Sequence, residues 1–206
     1  MMPSPSIAVK TQASRTWTVL LYSTKRIPQI TPAWIITLAR GCKSIKPSVT
    51  NTSRTTMSVE EKLEKVGLKL PPAPAPAGNY IGAKWVGNIA FSAGQGPFRS
   101  TKRGLVGEDL TLEEGYQAAK EVCLNCLAQL KKHLGSLDGI KQVLQVVGFI
   151  NSAEGFMQQP AVLNGFTDLL VELFGDPGGK PARAALPVHH PGWIAVEAWM
   201  VVELKE

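Results

Sequence analysis

The spacing of apolar residues predicts two long helices in the second half of the chain. The first pattern places apolar side chains at steps of three and four, which aligns them on one face of a helix. Thr111 and Glu114 form a capping box at its start, and Gly135 is positioned to end it. A second apolar stripe begins after Pro160 and ends before Gly175, so it predicts a second helix of the same kind.

Apolar runs without helical spacing predict five strands. Two short runs flank Gly87-Asn88, a dipeptide typical of a two-residue hairpin. Residues 140–150 form the third predicted strand, a short run beginning near Arg183 forms the fourth, and residues 193–202 form the fifth. The last run alternates over two apolar faces, which is typical of a strand that is buried on both sides.

The resulting order, β-β-α-β-α-β-β, predicts an α+β fold with two helices covering one face of a sheet. The other face also receives apolar residues from the last strand, and an uncovered apolar face implies a partner subunit. Two segments precede this pattern. Residues 58–70 have the serine cap and acidic first turn of a short helix, and residues 71–77 (PPAPAPA) form an extended linker.

Charge divides the chain near residue 56. Residues 1–56 form a leader rich in Ser and Thr that contains no acidic residue and has eight basic ones: Lys10, Arg15, Lys25, Arg26, Arg40, Lys43, Lys46 and Arg54. This composition is typical of an organellar transit peptide, so we expect a mitochondrial location, with residues 57–206 as the folded domain. The alternative is an untranslated or disordered tail, with translation starting at Met57 and a cytoplasmic location. The apolar segments of the leader are too short to span a bilayer, so no membrane partner is expected.

The folded domain itself is not basic. Of the 22 basic residues, 14 remain beside 16 acidic ones, which gives a net charge of −2. A basic stripe is the usual mark of a nucleic-acid surface, so nucleic acid is not an expected partner. Cys123 and Cys126 lie on the apolar stripe of the first helix, without the spaced Cys or His partners of a zinc site. We interpret both as core residues and expect no metal.

Candidate chemistry lies in residues 181–200. Arg183 and Glu197 are the only Asp, Glu, Lys or Arg residues there, and Glu197 stands among apolar neighbours. An ionised carboxylate in such a strand is costly unless it is paired or hydrogen-bonded. The turn residues between the two runs (HHPG) are expected to fold them back towards each other, so that the two charges meet at one site. A structural ion pair inside the sheet is the alternative, and spacing alone does not separate the two.

Several segments in a fixed order resemble the Rid family, also called YjgF or endoribonuclease L-PSP, which has a chorismate-mutase-like fold. The resemblance covers about residues 57–206, and the proline-rich approach to the first strand is similar to that of a bacterial-type branch. The matching segments are GNYIGAKWVGNIAFSAGQGP, GEDLTLEEGYQAAKEVCLNCLAQLKKHLGSLDGIKQVLQVVGFINS, VLNGFTDLLVELFG, PARAALPV and AVEAW.

The resemblance implies a homotrimer around a central β-barrel, with three small-molecule clefts between subunits. It implies hydrolysis of reactive enamines and imines, such as 2-aminoacrylate and 2-iminobutyrate, to 2-keto acids and ammonia. Imines are already electrophilic, so the reaction needs positioning and a proton relay but no metal or organic cofactor. By the same resemblance, Arg183 would bind the substrate carboxylate and Glu197 would position water. Tyr80, Gly94 and Asn164 would bind the substrate.

Three positions depart from the family pattern. Ala93 stands where the family has a serine, the stretch after the arginine is Ala184-Ala185-Leu186-Pro187, and Trp199 replaces the second acid of the final strand. These differences leave the substrate open more than the fold. Two other classes of function stay open beside imine hydrolysis. One is RNA cleavage, and the other is a non-catalytic trimer that binds metabolites or proteins.

Overall fold

The computed structural model describes residues 57–206, and the predicted leader lies outside them. The elements in chain order are α1 (Val59–Lys65), β1 (Ala83–Val86), β2 (Ile89–Ser92), α2 (Leu112–Leu134), β3 (Ile140–Asn151), α3 (Gln159–Phe174), β4 (Ala182–Val188) and β5 (Val196–Leu204). The α+β class and the predicted order of strands and long helices are confirmed. No helix in this part of the chain is both long and apolar enough to cross a membrane.

The strands form one sheet in the order β1-β2-β5-β3-β4. β3 and β4 are parallel and are joined by α3, whereas β5 is antiparallel to both β2 and β3. The expectation that β4 and β5 fold back onto each other is therefore wrong, since β3 lies between them. The reason is that β3 can form hydrogen bonds with one strand along each of its two edges. The α3 crossover places β4 on one edge, and the chain then passes to the other edge to add β5.

The two long helices pack side by side over one face of the sheet. Their approach is close at Gly165, where a Cβ atom would overlap the backbone oxygen of Tyr116 on α2. A second close contact joins α3 to the sheet at Gly148, above which the side chain of Leu163 is packed. The core is made of buried aliphatic side chains from both helices and this sheet face, with Phe166 among the largest.

The opposite face of the sheet is not covered by the described residues, and we call it the open face. Along β5 every second residue is buried, from Val196 to Val202, while the residues between them are partly or fully exposed. The prediction that this strand is buried on both sides is therefore wrong for the single chain, because the helices cover one face only. Apolar side chains nevertheless dominate the open face: Phe91, Val147, Phe149, Leu186, Trp199 and Val201.

The segment before β1 packs onto the core. α1 has the predicted serine cap, which the structure extends to a capping box between Ser58 and Glu61. The helix ends earlier than residue 70 because Gly67 adopts a positive φ of 74°. The ammonium of Lys62 on α1 donates to the backbone oxygen of Leu173 at 2.5 Å, near the C-terminal end of α3. The extended proline-rich segment is held by Gln129, whose amide donates to the backbone oxygen of Pro74 at 2.6 Å.

Both cysteines of the domain are core residues, as predicted. Cys123 and Cys126 are fully buried in α2 between the helix layer and the sheet. Burial raises the pKa of Cys126 to about 12, partly offset by a hydrogen bond with Ser92, and burial raises the pKa of Cys123 well above its ordinary range. Thiols in such surroundings are packing groups and not nucleophiles.

Candidate functional site

Arg183 lies on the edge strand β4 and reaches back over α3. It is in register with Val146 of β3, which is buried against the helices, so its side chain starts on the helix-covered face. One terminal nitrogen donates to the side-chain oxygen of Asn164 at 2.8 Å and to the hydroxyl of Thr167 at 3.0 Å. The structure therefore brings together two of the predicted site residues, Arg183 and Asn164. It adds Thr167, which sequence reasoning missed although its i+3 spacing from Asn164 places both on one helix face.

The guanidinium of Arg183 keeps most of its hydrogen-bonding capacity. It is exposed, and within residues 57–206 the ion pairs involve other side chains, so no carboxylate neutralises it there. Two neutral oxygens fix one nitrogen, while a guanidinium has five N–H donors in a planar fork. The remaining donors are suited to a carboxylate, which matches that fork with two parallel hydrogen bonds.

Glu197 lies on β5 and faces the open side of the sheet. Its neighbours Val196 and Ala198 are buried against the helices, and Glu197 itself is exposed. Gly94 lies beside it, since a Cβ atom on that glycine would come within 2.7 Å of a Glu197 carboxylate oxygen. The neighbouring Gln95 pairs with Ala198 through two backbone hydrogen bonds of 2.9 and 3.1 Å. The structure thus brings together a second predicted pair, Gly94 and Glu197.

The two predicted charges do not meet within one chain. Arg183 and Glu197 lie on opposite faces of the sheet and on strands that are separated by β3. Their partners on β3 are Val146 and Phe149, which are about 10 Å apart along the strand. Neither a shared site nor a structural ion pair between them forms among the described residues. The site residues remain a prediction. Within one chain they form two separate groups, Arg183 with Asn164 and Glu197 with Gly94, which we call the two halves of the site.

Tyr80 belongs to a groove at the β1–β2 end of the sheet. Its ring is about half exposed, and its hydroxyl accepts a hydrogen bond from the backbone N–H of Ala77 at 3.1 Å. The same groove, with a volume of about 470 Å³, is lined by Ala93, which directly precedes Gly94. Tyr80 is therefore placed near the half of the site that contains Gly94.

A hollow of about 340 Å³ opens beside Glu197. Apart from Glu197, its lining consists of Phe149, Val188, His190, Trp193 and Ile194. The sequence patterns placed Trp193 in the last strand and His190 in the turn before it, so they did not predict this wall. His189 and His190 are both exposed, and His190 lines the hollow together with Trp193 and Glu197. Within the described part of the chain, no three His, Cys, Asp or Glu side chains converge on a possible metal position.

Comparisons with known proteins agree with the fold. A relative from Trypanosoma cruzi named Protein TCP17 is 37% identical over 151 residues, which cover 71% of this chain and 94% of that protein. The crystal structure of the protein Atu1372 from Agrobacterium tumefaciens, whose function is unknown, is 34% identical. The alignment covers 71% of this chain and 92% of the Atu1372 chain, with a TM-score of 0.65.

A second solved structure, described as a putative endoribonuclease from Shewanella oneidensis, is 34% identical. The alignment covers 72% of this chain and 100% of the Shewanella chain, with a TM-score of 0.67. The sequence model of a family described as YjgF/chorismate mutase-like, putative endoribonuclease, matches residues 60–188. Because this match spans more than half of the chain, the chain belongs to the YjgF/chorismate mutase-like family.

Proposed function

We propose that this protein hydrolyses reactive imines and enamines that bear a carboxylate, releasing ammonia and a 2-keto acid. The reaction takes place in clefts between the subunits of a homotrimer. Arg183 of one subunit and Glu197 of the next complete each cleft, because a single chain holds these groups on opposite faces of its sheet. The open apolar face supports this assembly, since such a face is normally covered by a second subunit.

The observation that carries the proposal is the hydrogen bonding of Arg183 and its lack of an ion pair among the described residues. Asn164 and Thr167 accept hydrogen bonds from one nitrogen of the guanidinium. No carboxylate of the described residues forms an ion pair with its remaining N–H donors. An arginine that only stabilised the fold would be expected to pair with an acid of its own chain. A fixed and unneutralised fork is instead suited to the carboxylate of a 2-imino acid.

The chemistry requires one water and one proton relay. Bound through its carboxylate to Arg183, the substrate presents its imine carbon to a water that Glu197 aligns. Glu197 takes a proton from that water as the new C–O bond forms and passes it to the imine nitrogen, which gives a neutral carbinolamine. Glu197 then transfers the hydroxyl proton to the amine nitrogen, so that the keto C=O bond forms as the C–N bond breaks and ammonia leaves. Imine and water are converted to keto acid and ammonia with no change in oxidation state.

Substitution of Arg183 tests the proposal. We expect Arg183→Lys to lower kcat/KM for 2-iminobutyrate roughly 10- to 100-fold, because a point charge loses one charge-assisted hydrogen bond of about 1.5–3 kcal/mol. The imine is generated in solution by an amino-acid oxidase, and its decay above the spontaneous rate is measured. Arg103→Lys is the control, since Arg103 is also exposed but lies in the loop before α2. Near-normal turnover by Arg183→Lys would refute the assignment.

RNA cleavage is the second candidate, because the family description and the Shewanella structure both carry the word endoribonuclease. A single-stranded RNA assay on the same preparations separates the two activities. Imine hydrolysis that depends on Arg183, without RNA cleavage, supports the first candidate. Cleavage that is unaffected by Arg183→Ala points to another site or to a contaminating nuclease. Absence of both activities leaves a trimer that binds metabolites or proteins.

A further inference from the structure

We propose that the hollow beside Glu197 selects 2-imino acids with an aromatic side chain, which packs against Trp193. This inference rests on the proposed function and names the substrate class of the same site. The hollow is contiguous with the Glu197 carboxylate, so a substrate whose imine carbon lies next to Glu197 has its side chain within reach of the hollow.

The size and lining of the hollow define what it can accept. Its volume of about 340 Å³ lies within the range of roughly 300–1,000 Å³ that is usual for small-molecule sites. The methyl and ethyl groups of the smallest imino acids would fill only a small part of the hollow, and water would occupy the remainder. Besides Glu197, its lining has no Asp, Glu, Lys or Arg side chain that could recognise a polar substituent. A large apolar substituent is therefore the best match.

The aromatic members of the lining favour a flat ring over a branched chain. Trp193 packs on His190 with ring centroids 5.3 Å apart and an interplanar angle of 48°. On the other side, Phe149 is braced by Trp199 with centroids 5.5 Å apart. Tilted and offset contacts of this kind are the arrangements that aromatic rings prefer, and a substrate ring between these walls would extend them.

The wall that contains Trp193 is held in place before any ligand binds. Asn151 is buried at the end of β3, accepts from the backbone N–H of His190 at 2.8 Å, and donates to its backbone oxygen at 2.9 Å. The backbone oxygen of Trp193 accepts from the N–H of Gly104 at 2.9 Å. With both ends of the turn fixed, a ligand does not have to order this loop when it binds.

Trp193 is left 47% exposed in the single chain, so its ring is accessible to a ligand in the hollow. Trp85 on β1 has nearly the same exposure, 51%, and does not line the hollow. It therefore provides a matched control, since removing either ring deletes a similar amount of exposed apolar surface.

The test compares imines generated in solution from L-phenylalanine and L-2-aminobutyrate by an amino-acid oxidase. With the full-length protein, we expect a higher kcat/KM for the aromatic imine. Trp193→Ala should lower that ratio roughly tenfold or more, in line with other losses of apolar pocket contacts. Trp85→Ala should leave the ratio unchanged. Trp193→Leu serves as a second variant, because it retains apolar bulk while removing the ring.

A binding measurement separates failure of the inference from failure of the proposed function. Calorimetry with phenylpyruvate and 2-ketobutyrate reports occupancy of the hollow even if the protein hydrolyses nothing. Tighter binding of phenylpyruvate that is lost in Trp193→Ala upholds the inference about the hollow, although an inactive protein would end the proposed function. Hydrolysis of both imines with equal efficiency, unchanged in Trp193→Ala, overturns the inference and leaves the function standing. Dissociation of the oligomer by Trp193→Ala would also overturn it, because the hollow would then be an interface between copies.

Discussion

At Gly94 the backbone lies directly beside the Glu197 carboxylate. Its φ is not positive, so alanine is compatible with the backbone, and the only severe contact is with the mobile end of the Glu197 side chain. We expect Gly94→Ala to displace the carboxylate by a rotamer change. The fold should stay intact, while kcat/KM for 2-iminobutyrate falls at least about tenfold, as is typical when a proton-relay group is misplaced.

Gly78→Ala is the control for this substitution, because its added Cβ atom would make only ordinary 3.8 Å contacts with Tyr80. Thermal unfolding of both variants should match that of the unmodified protein. If Gly94→Ala kept full activity, Glu197 would not act from the position that it occupies here.

The buried thiols make stability depend on pH in the alkaline range. Burial raises the pKa of Cys126 from an ordinary value of 9.0 to about 12, so the folded state holds this proton where the unfolded chain releases it. The resulting stability is complete below pH 9 and is lost as the pH rises towards 12. The slope is at most about 1.4 kcal/mol per pH unit for each buried thiol.

Urea unfolding at pH 8, 9.5 and 11 measures this effect. The double variant Cys123→Ala/Cys126→Ala is less stable at pH 8, because it leaves small cavities, but its stability should fall less steeply between pH 9.5 and 11. Parallel slopes for the two proteins would show that the thiols are not responsible for the alkaline loss.

At the scale of elements, the close approach of α2 and α3 depends on Gly165. A Cβ atom at Gly165 would overlap the backbone oxygen of Tyr116, and backbone atoms cannot move aside without shifting a whole helix. We expect Gly165→Ala to lower the free energy of unfolding by about 1–3 kcal/mol, as overpacking usually does. Because α3 also provides Asn164 and Thr167, the shift should weaken substrate binding at Arg183 as well.

Gly139→Ala is the corresponding control, since the nearest atom to its added Cβ would be 3.9 Å away. Chemical unfolding should place this control within about 0.5 kcal/mol of the unmodified protein. Equal stability of the two alanine variants would mean that the helices can separate at Gly165 at little cost.

At the scale of the whole molecule, the open face of the sheet should be the trimer interface. Val201 lies on this face, opposite Phe91 of β2, in the middle of the apolar surface. Val201→Lys would bring three ammonium groups into the centre of a trimer, where they are both desolvated and mutually repelled. We expect the mass measured by light scattering to fall from three chains to one, with loss of imine hydrolysis.

Leu112→Lys provides the comparison, because Leu112 is an exposed apolar residue at the start of α2, on the helix side of the sheet. That variant should remain trimeric. A monomeric unmodified protein that hydrolyses imines would contradict the proposal, since one chain keeps Arg183 and Glu197 apart.

Much of the secondary structure was predictable because its signals are local. The capping boxes at Ser58 and Thr111, the glycine after α2 and the hairpin at Gly87-Asn88 each involve residues within a few positions of one another. The two α-helical stripes are likewise a property of consecutive turns. For the same reason, the assignment of Arg183 and Asn164, which lie on different elements, to one site followed only from resemblance to a family, and the hydrogen bond between them was not predicted.

The sequence by itself determined the elements, their order, the apolar character of both sheet faces and the family. Only the tertiary structure decided that β5 pairs with β2 and β3 while β4 takes the outer edge of β3. That pairing puts Arg183 and Glu197 on opposite faces and gathers Trp193 beside Glu197. The physical reason is that periodicity fixes which side of its own element a residue occupies. Which elements become neighbours depends on backbone hydrogen bonds and packing between segments that are far apart in the chain.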